Sequence, residues 1–460
     1  MKKILLSVGA LLVIGSMVFA YQRYTNAKEL DRFTSNEQIK HILTSNRCLD
    51  CHSQSPELPF YASFPIAEGI IQEDIQKGYK YIDIESIIEA IDNGNTPSEV
   101  DLAKIEQSII NQSMPPAKFT ALHWHSSLDE KEREIMLNWI KENRSKIYSN
   151  GLSSSTFANE AVQPLIDSLA VNPAKVALGE KLYHDTRLSK DNNLSCATCH
   201  SLDSAGVDRL QFSKGIYDQI GGINAPTVFN AALHIAQFWD GRAADLQAQA
   251  GGPPFDMLEM GSESWDEIIA KLAKDPELTA EFLSIYPDGY SGNNITDAIA
   301  EFEKTLLTPN SRFDLYLKGD ATALNQEEIE GYELFKANNC ATCHVGQAMG
   351  GQSYEYMGIV ADYFAEREMK ADRDIIKTKD QGHFNATNDT KDLQRFKTPS
   401  LRNVALTAPY LHDGTAETLE DATRIMLKYQ VGKSLSDEDI NKIVLFMNTL
   451  NGQYKGSTLK

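Results

Sequence analysis

Three times the chain spells the same five-residue pattern, Cys-x-x-Cys-His. It reads CLDCH at Cys48, Cys51 and His52, and CATCH at Cys196, Cys199 and His200 and again at Cys340, Cys343 and His344. These words consume all six cysteines, so none remains for a structural disulfide. At this composition a single occurrence is expected about 0.002 times, so three are not an accident. Zinc would need a second Cys/His pair close to each first one, and no word has it. A redox dithiol has no use for the following histidine. The pattern instead suits covalent haem: two thioether links fix the porphyrin edge, and the adjacent histidine turns under the ring to ligate iron. The chain is expected to carry three haem c groups.

The start of the chain says where such chemistry would lie. Lys2 and Lys3 precede an uncharged run from Ile4 to Gln22. As a helix, Ile4 to Tyr21 would span roughly 27 Å, close to a bilayer core. The lysines would hold the start inside and send the remainder outward. A cleaved signal peptide also fits, with Val18-Phe19-Ala20 as a passable small-residue site. The length of the run favours a retained inner-membrane anchor, and either reading puts the folded part in the periplasm. A formal net charge of -20 and a pI near 5.0 argue against nucleic-acid binding, which needs a basic footprint.

At 460 residues two or three compact units are expected, and the words recur at roughly equal intervals. Each follows a stretch with helical periodicity: SNEQIKHILTSNR, PAKVALGEKLYHD and NQEEIEGYELFKANN. The last two share a glycine four residues before an aromatic, as Gly-x-x-Leu-aromatic. Strand patterns are scarce. The fold class is therefore mainly α: three cytochrome c-like haem domains in tandem after an N-terminal membrane helix. The expected divisions are 1–24 for the anchor or signal sequence, 25–148 for a monohaem domain, and 149–163 for a Ser/Asn-rich linker. A second haem domain covers 164–318 and a third 319–460. The charged segment Gly350 to Arg395 reads as an irregular excursion.

What faces each iron from the far side decides its job. Two strong ligands make an electron carrier, and an open position lets a small molecule bind. For the haem at His52, Met114 stands directly before Pro115 and Pro116, on a stiff extended loop where its thioether can face iron at little entropic cost. His123 and His125 are the alternatives. His/Met ligation raises the potential and suits electron relay.

The stretches GGINAPTVFNAALHIAQFWDGRAADLQAQAGGPPFDMLEM, FKTPSLRNVALTAPYLHDG and LTAPYLHDGTAETLEDATRIMLKYQVG resemble the bacterial dihaem cytochrome c peroxidases. The likeness covers roughly residues 164–455, with long motifs in family order, so the last two haem domains are expected to form a dihaem peroxidase core. The additional haem and anchor make the chain similar to the trihaem, membrane-bound branch whose known members are quinol peroxidases. The resemblance implies that Met426 is the sixth ligand of the haem at His344, which receives the electrons. It implies that the haem at His200 is peroxidatic, with Gln249 and Glu259 lining its distal pocket and Trp239 lying between the two haems. It also implies a calcium site at Asn224, Thr407 and Pro409, where a side-chain amide, backbone carbonyls and waters would be suitable oxygen ligands. Glu259 is defensible from chemistry as well, since one carboxylate can carry a proton between the two peroxide oxygens. Gln249 cannot exchange a proton but can orient the peroxide.

One departure from the family matters. Many members carry a distal histidine roughly 16 residues after the peroxidatic haem histidine. Ungapped spacing puts Ile216 there, and isoleucine cannot ligate, although the adjacent Tyr217 could in principle reach iron. The expected activity is reduction of hydrogen peroxide, with electrons from quinol or a small redox protein such as cytochrome c. The competing readings are a non-catalytic multihaem cytochrome, which would need six ligands on all three irons, and a MauG-like haem oxidase, which replaces Met426 with tyrosine. Simple dihaem relatives are dimers, so a homodimer is a further expectation.

Overall fold

Helices begin where the sequence supplies a side chain able to close the first turn. Thr34 with Glu37, Asp129 with Glu132, and Asn325 with Glu328 each form a reciprocal capping box, satisfying backbone N–H groups that the helix cannot. The computed structural model describes residues 25–26, 28–123, 125–367 and 378–460. The expected anchor at 1–24 lies outside the described residues. Among those described, no helix is long and apolar enough to cross a membrane. The chain divides into two compact units, Met1–Tyr148 and Ser149–Lys460. Both are mainly helical, and the strands among the described residues run two or three residues each.

In the first unit the helices Ser35–Ser45, Ile84–Asp92, Glu99–Ile110 and Glu130–Asn143 close over a core that includes Ile42, Ile87, Leu102 and Trp139. The apolar residues of Ile84–Asp92 recur at helical spacing, so Ile84, Ile87 and Ile91 all point inward. Arg144, fully buried just past the last helix, bonds Glu99 at 2.6 Å and Glu106 at 2.8 Å.

The second unit repeats one construction twice. Helix Pro173–Tyr183 crosses Gly292–Glu303, and helix Gln326–Ala337 crosses Asp437–Asn448. A glycine sits at each crossing. A Cβ on Gly179 would stand 1.9 Å from the Ala298 carbonyl oxygen, and one on Gly331 would stand 2.0 Å from that of Lys442. The shared glycine-to-aromatic pattern is thus the imprint of two backbones in contact. The second and third haem words lie within this one unit, because a buried polar network joins their halves. Arg402 bonds Asp314 at 2.8 Å and the carbonyls of Gln163 and Gln347 at 3.0 and 2.7 Å. Asn403 and Asn230 both donate to the Thr308 hydroxyl.

The stretch 149–163, read as a linker, packs into the second unit. Val162 is fully buried and bridges to Gly346. Asn150 Oδ1 accepts from the Leu152 N–H at 3.0 Å in a local turn, and Ser153 donates to Gln163 at 3.1 Å across the segment. The excursion after Gly350 is pinned at its ends, where Tyr354–Tyr356 pairs antiparallel with Arg395–Lys397.

Candidate haem sites and the pocket beside the second

Each word places two half-buried cysteines and a histidine on one short turn. Burial pushes the thiols up, to about 12 at Cys48, Cys196 and Cys340 and about 11 at Cys51 and Cys199. That is opposite to a zinc site or an active redox dithiol, both of which need thiolate, and it suits sulfurs destined for thioether bonds. Burial also lowers the pKa of His52, His200 and His344, keeping the imidazoles neutral as metal ligation requires.

The orientation of two of these rings is set from behind. His52 Nδ1 donates to the Gly78 and Ile82 carbonyls at 2.9 and 3.2 Å, and His344 Nδ1 to that of Met349 at 3.1 Å. This leaves Nε2 as the outward lone pair, the usual arrangement behind a metal-bound imidazole. Gly78 is required there, since a Cβ would meet the Cys51 carbonyl oxygen at 2.6 Å. At His200 the carbonyls of Gly206 and Pro226 counter the desolvation of the ring, although Nδ1 meets no partner in hydrogen-bond geometry among the described residues. The carbonyl oxygen of His200 itself accepts from Tyr183 at 2.5 Å. The donor sets at all three words fit haem c.

The middle word differs locally from its neighbours. The first and third are entered through a left-handed residue, Arg47 at φ 60° and Asn339 at φ 62°. The second begins from extended Ser195, whose N–H bonds Thr198 Oγ1 at 3.0 Å. Beside it lies Glu259, a half-buried carboxyl whose field reaches both Cys196 and Cys199. Burial, then the neighbouring Asp256, raise the Glu259 pKa, while Arg242 and Lys379 oppose the rise. Its side chain makes no hydrogen bond to another described residue, and neither does the half-buried amide of Gln249 on helix Leu246–Ala250. Ile216 forms the adjacent wall. It is fully buried, packs against Gly261, and its N–H donates to the Glu259 carbonyl at 2.7 Å. Tyr217, in a left-handed turn at φ 58°, is 63% exposed.

Trp239 and Met426 pack against the same apolar cluster of Met357, Tyr363, Phe396 and Tyr429. The Trp239 indole donates to the Asn224 carbonyl at 2.9 Å. Asn224 is buried. Its N–H donates to the His412 carbonyl at 2.8 Å, and its amide nitrogen to those of Leu210 and Gln211. The structure thus sets Asn224 against the loop that follows Thr407 and Pro409. The Thr407 hydroxyl donates to Val404 at 3.1 Å.

In the first unit Met114 is 37% exposed, between helices Glu99–Ile110 and Ala117–Leu122. Both ring nitrogens of His123 are engaged, by Tyr61 at 2.5 Å and the Phe119 carbonyl at 3.1 Å. His125 is exposed.

Sequence reasoning passed over Arg242 and Asp256, which set the charge around Glu259. Both lie inside the motifs that carry the resemblance, and that position was the available signal.

Residues 173–322 match the family profile "Di-haem cytochrome c peroxidase", residues 329–451 match "Cytochrome c", and residues 11–142 match a "Haem-binding domain". Cytochrome c peroxidase Ccp of Escherichia coli (strain K12) is 48% identical over 422 residues, spanning 92% of this chain and 89% of the relative. Cytochrome c551 peroxidase of Nitrosomonas europaea is 42% identical over 298 residues, spanning 64% and 85%. A solved MauG-like protein associated with microbial copper homeostasis superposes with a TM-score of 0.54 at 26% identity, covering 63% of this chain and 92% of its own.

Proposed function

Because this chain belongs to the di-haem cytochrome c peroxidase family and is a peroxidase, we propose that it reduces hydrogen peroxide to water in the periplasm, using electrons from quinol or a small cytochrome. Haem bound at the three words would supply the iron that relays electrons and, at the second word, accepts peroxide. The six cysteines would form its thioether links, and His52, His200 and His344 would ligate from one side. Met114 and Met426 would close the first and third sites from the other.

Glu259 takes a proton from one peroxide oxygen and returns it to the other, so that water can leave. Gln249 orients the peroxide through its unengaged amide. Trp239 and Met426, sharing one apolar cluster, support an electron path between the third and second sites. Asn224, Thr407 and Pro409 would hold calcium near that path. The first unit would be the initial electron acceptor, tethered to the inner membrane through residues 1–24.

The observation that carries this reading is the pairing of an unengaged, half-buried Glu259 beside the second word with a buried isoleucine where a blocking histidine would stand. The fully oxidised protein should therefore give a high-spin ferric EPR signal from one haem beside low-spin signals from two. It should also consume peroxide with a quinol or with reduced cytochrome c, and the faster donor identifies the physiological class. A wholly low-spin spectrum, or inertness with both donors, would defeat the proposal.

A further inference from the structure

Among the described residues, Lys397 is a buried cation with no ion-pair partner. It ends the strand Arg395–Lys397, is 6% exposed, and its Nζ donates to His234 Nδ1 at 3.1 Å. Asp240, the carboxylate whose field reaches it, is taken by Arg242 through both oxygens at 2.9 and 3.0 Å. Burial accordingly drives the ammonium down to about 8, and burial together with Lys397 keeps His234 neutral. With Nδ1 accepting from lysine, the ring proton sits on Nε2. That atom is buried and has no partner among the described residues. Gly351, at φ +74°, lies flat on the imidazole, where a Cβ would come within 2.2 Å of Cδ2.

An ammonium buried with only an imidazole beside it is half of an ion pair, and burial disfavours its charged form. The missing half is an anion that can accept from both Nζ and Nε2–H, which is the chemistry of a carboxylate. Covalent haem would bring carboxylates to each word, and the surroundings of Lys397 point to one of them. Two residues on, the Pro399 carbonyl acts on His344 together with that of Met349. Gly351 N–H donates to the Thr398 carbonyl at 2.6 Å, and Ile235 N–H to that of Gly351 at 2.9 Å. The pair is therefore mounted on the same segments that orient His344. The Lys397 N–H also donates to the Trp239 carbonyl at 2.8 Å.

We propose that Lys397 Nζ and His234 Nε2–H form the binding site for a propionate carboxylate of the haem attached at Cys340 and Cys343, neutralising its charge beside the electron path. The inference rests on the haem reading above and adds a residue pair that sets the redox balance of that haem.

The test is Lys397→Met in the full-length holoprotein, with three haems per chain verified by pyridine haemochrome so that haem attachment is judged separately. The propionate bending mode of the third haem should shift in resonance Raman. Loss of the cation should favour the oxidised state about tenfold, lowering that haem's midpoint by about 59 mV. Lys397→Arg should restore both signals, and His234→Leu should move them in the direction of Lys397→Met if the methionine variant does not fold. The wild-type midpoint should be indifferent to added acetate or chloride, which separates a propionate from a free anion. Unchanged Raman and midpoint in a fully haem-loaded variant, or a wild-type midpoint that tracks those anions, would overturn the assignment.

Discussion

Glutamine at position 259 keeps the size of the side chain but cannot carry a proton. The wall around it should survive Glu259→Gln, because its fixed contacts are backbone ones: Ile216 N–H to the 259 carbonyl at 2.7 Å, and the 259 N–H to the Asp256 carbonyl at 3.0 Å. General acid–base catalysis contributes about 10²–10⁴ in rate. Glu259 is half-buried and not sealed, so water can partly stand in for it. The expected loss is therefore in the lower half of that range, about 10²–10³ in kcat/KM, or roughly 2.7–4 kcal/mol of barrier. The pH profile gives an independent signature. The ionised form receives the proton, so wild-type activity should fall as acid protonates Glu259, at a pH above the usual carboxylate range because burial and Asp256 raise it. Asp256→Asn should move that acid limb down and Arg242→Met should move it up. The assay is steady-state peroxide consumption across the limb, with haem content checked in each variant. If Glu259→Gln keeps more than about a tenth of wild-type kcat/KM, or retains the same acid limb, the proton-carrying role is wrong.

Two further substitutions probe the scaffold. Gly179→Ala and Gly331→Ala gain about 1 kcal/mol of helix propensity but force a Cβ to 1.9 and 2.0 Å from a facing carbonyl oxygen. Overpacking of about 1–3 kcal/mol should win and lower the urea midpoint, and a midpoint at or above wild type would show that the helices can separate freely. Glu303 is 5% exposed with Oε2 unpartnered among the described residues, and burial pushes its carboxyl up to about 8 from 4.5. The folded state then holds this proton more tightly than the unfolded chain. Its stability is complete below about pH 4.5 and declines as pH rises toward 8, by an amount on the order of 5 kcal/mol. Glu303→Gln should flatten urea-derived stability over that range, and an undiminished slope in the variant would place the pH dependence elsewhere.

Much of the site was legible in the chain because it is written in short words. The three C-x-x-C-H patterns needed only local spacing, and the helices before them announced themselves by periodicity and caps such as Asn325 with Glu328. Gly179 and Gly331 were visible as a repeated pattern, though their purpose was not. The stretch read as a linker at 149–163 is ambiguous in sequence because turn-forming serines and asparagines read alike whether they lie in solvent or against a core. Only the seating of Val162 distinguishes the two.

Lys397 had no legible signal at all. Its imidazole partner is 163 residues away, and Arg402 reaches a carbonyl 239 residues distant. The sequence by itself determined which residues can bond covalently to haem, where helices start, and that no histidine stands at position 216, since these depend on residue identity and near neighbours. The tertiary structure decided that two haem words share one unit, that Ile216 and Glu259 form one wall, and that a lysine lies buried beside His234. Burial and charge pairing are set by whichever distant segments the fold presses together, and no local pattern encodes that.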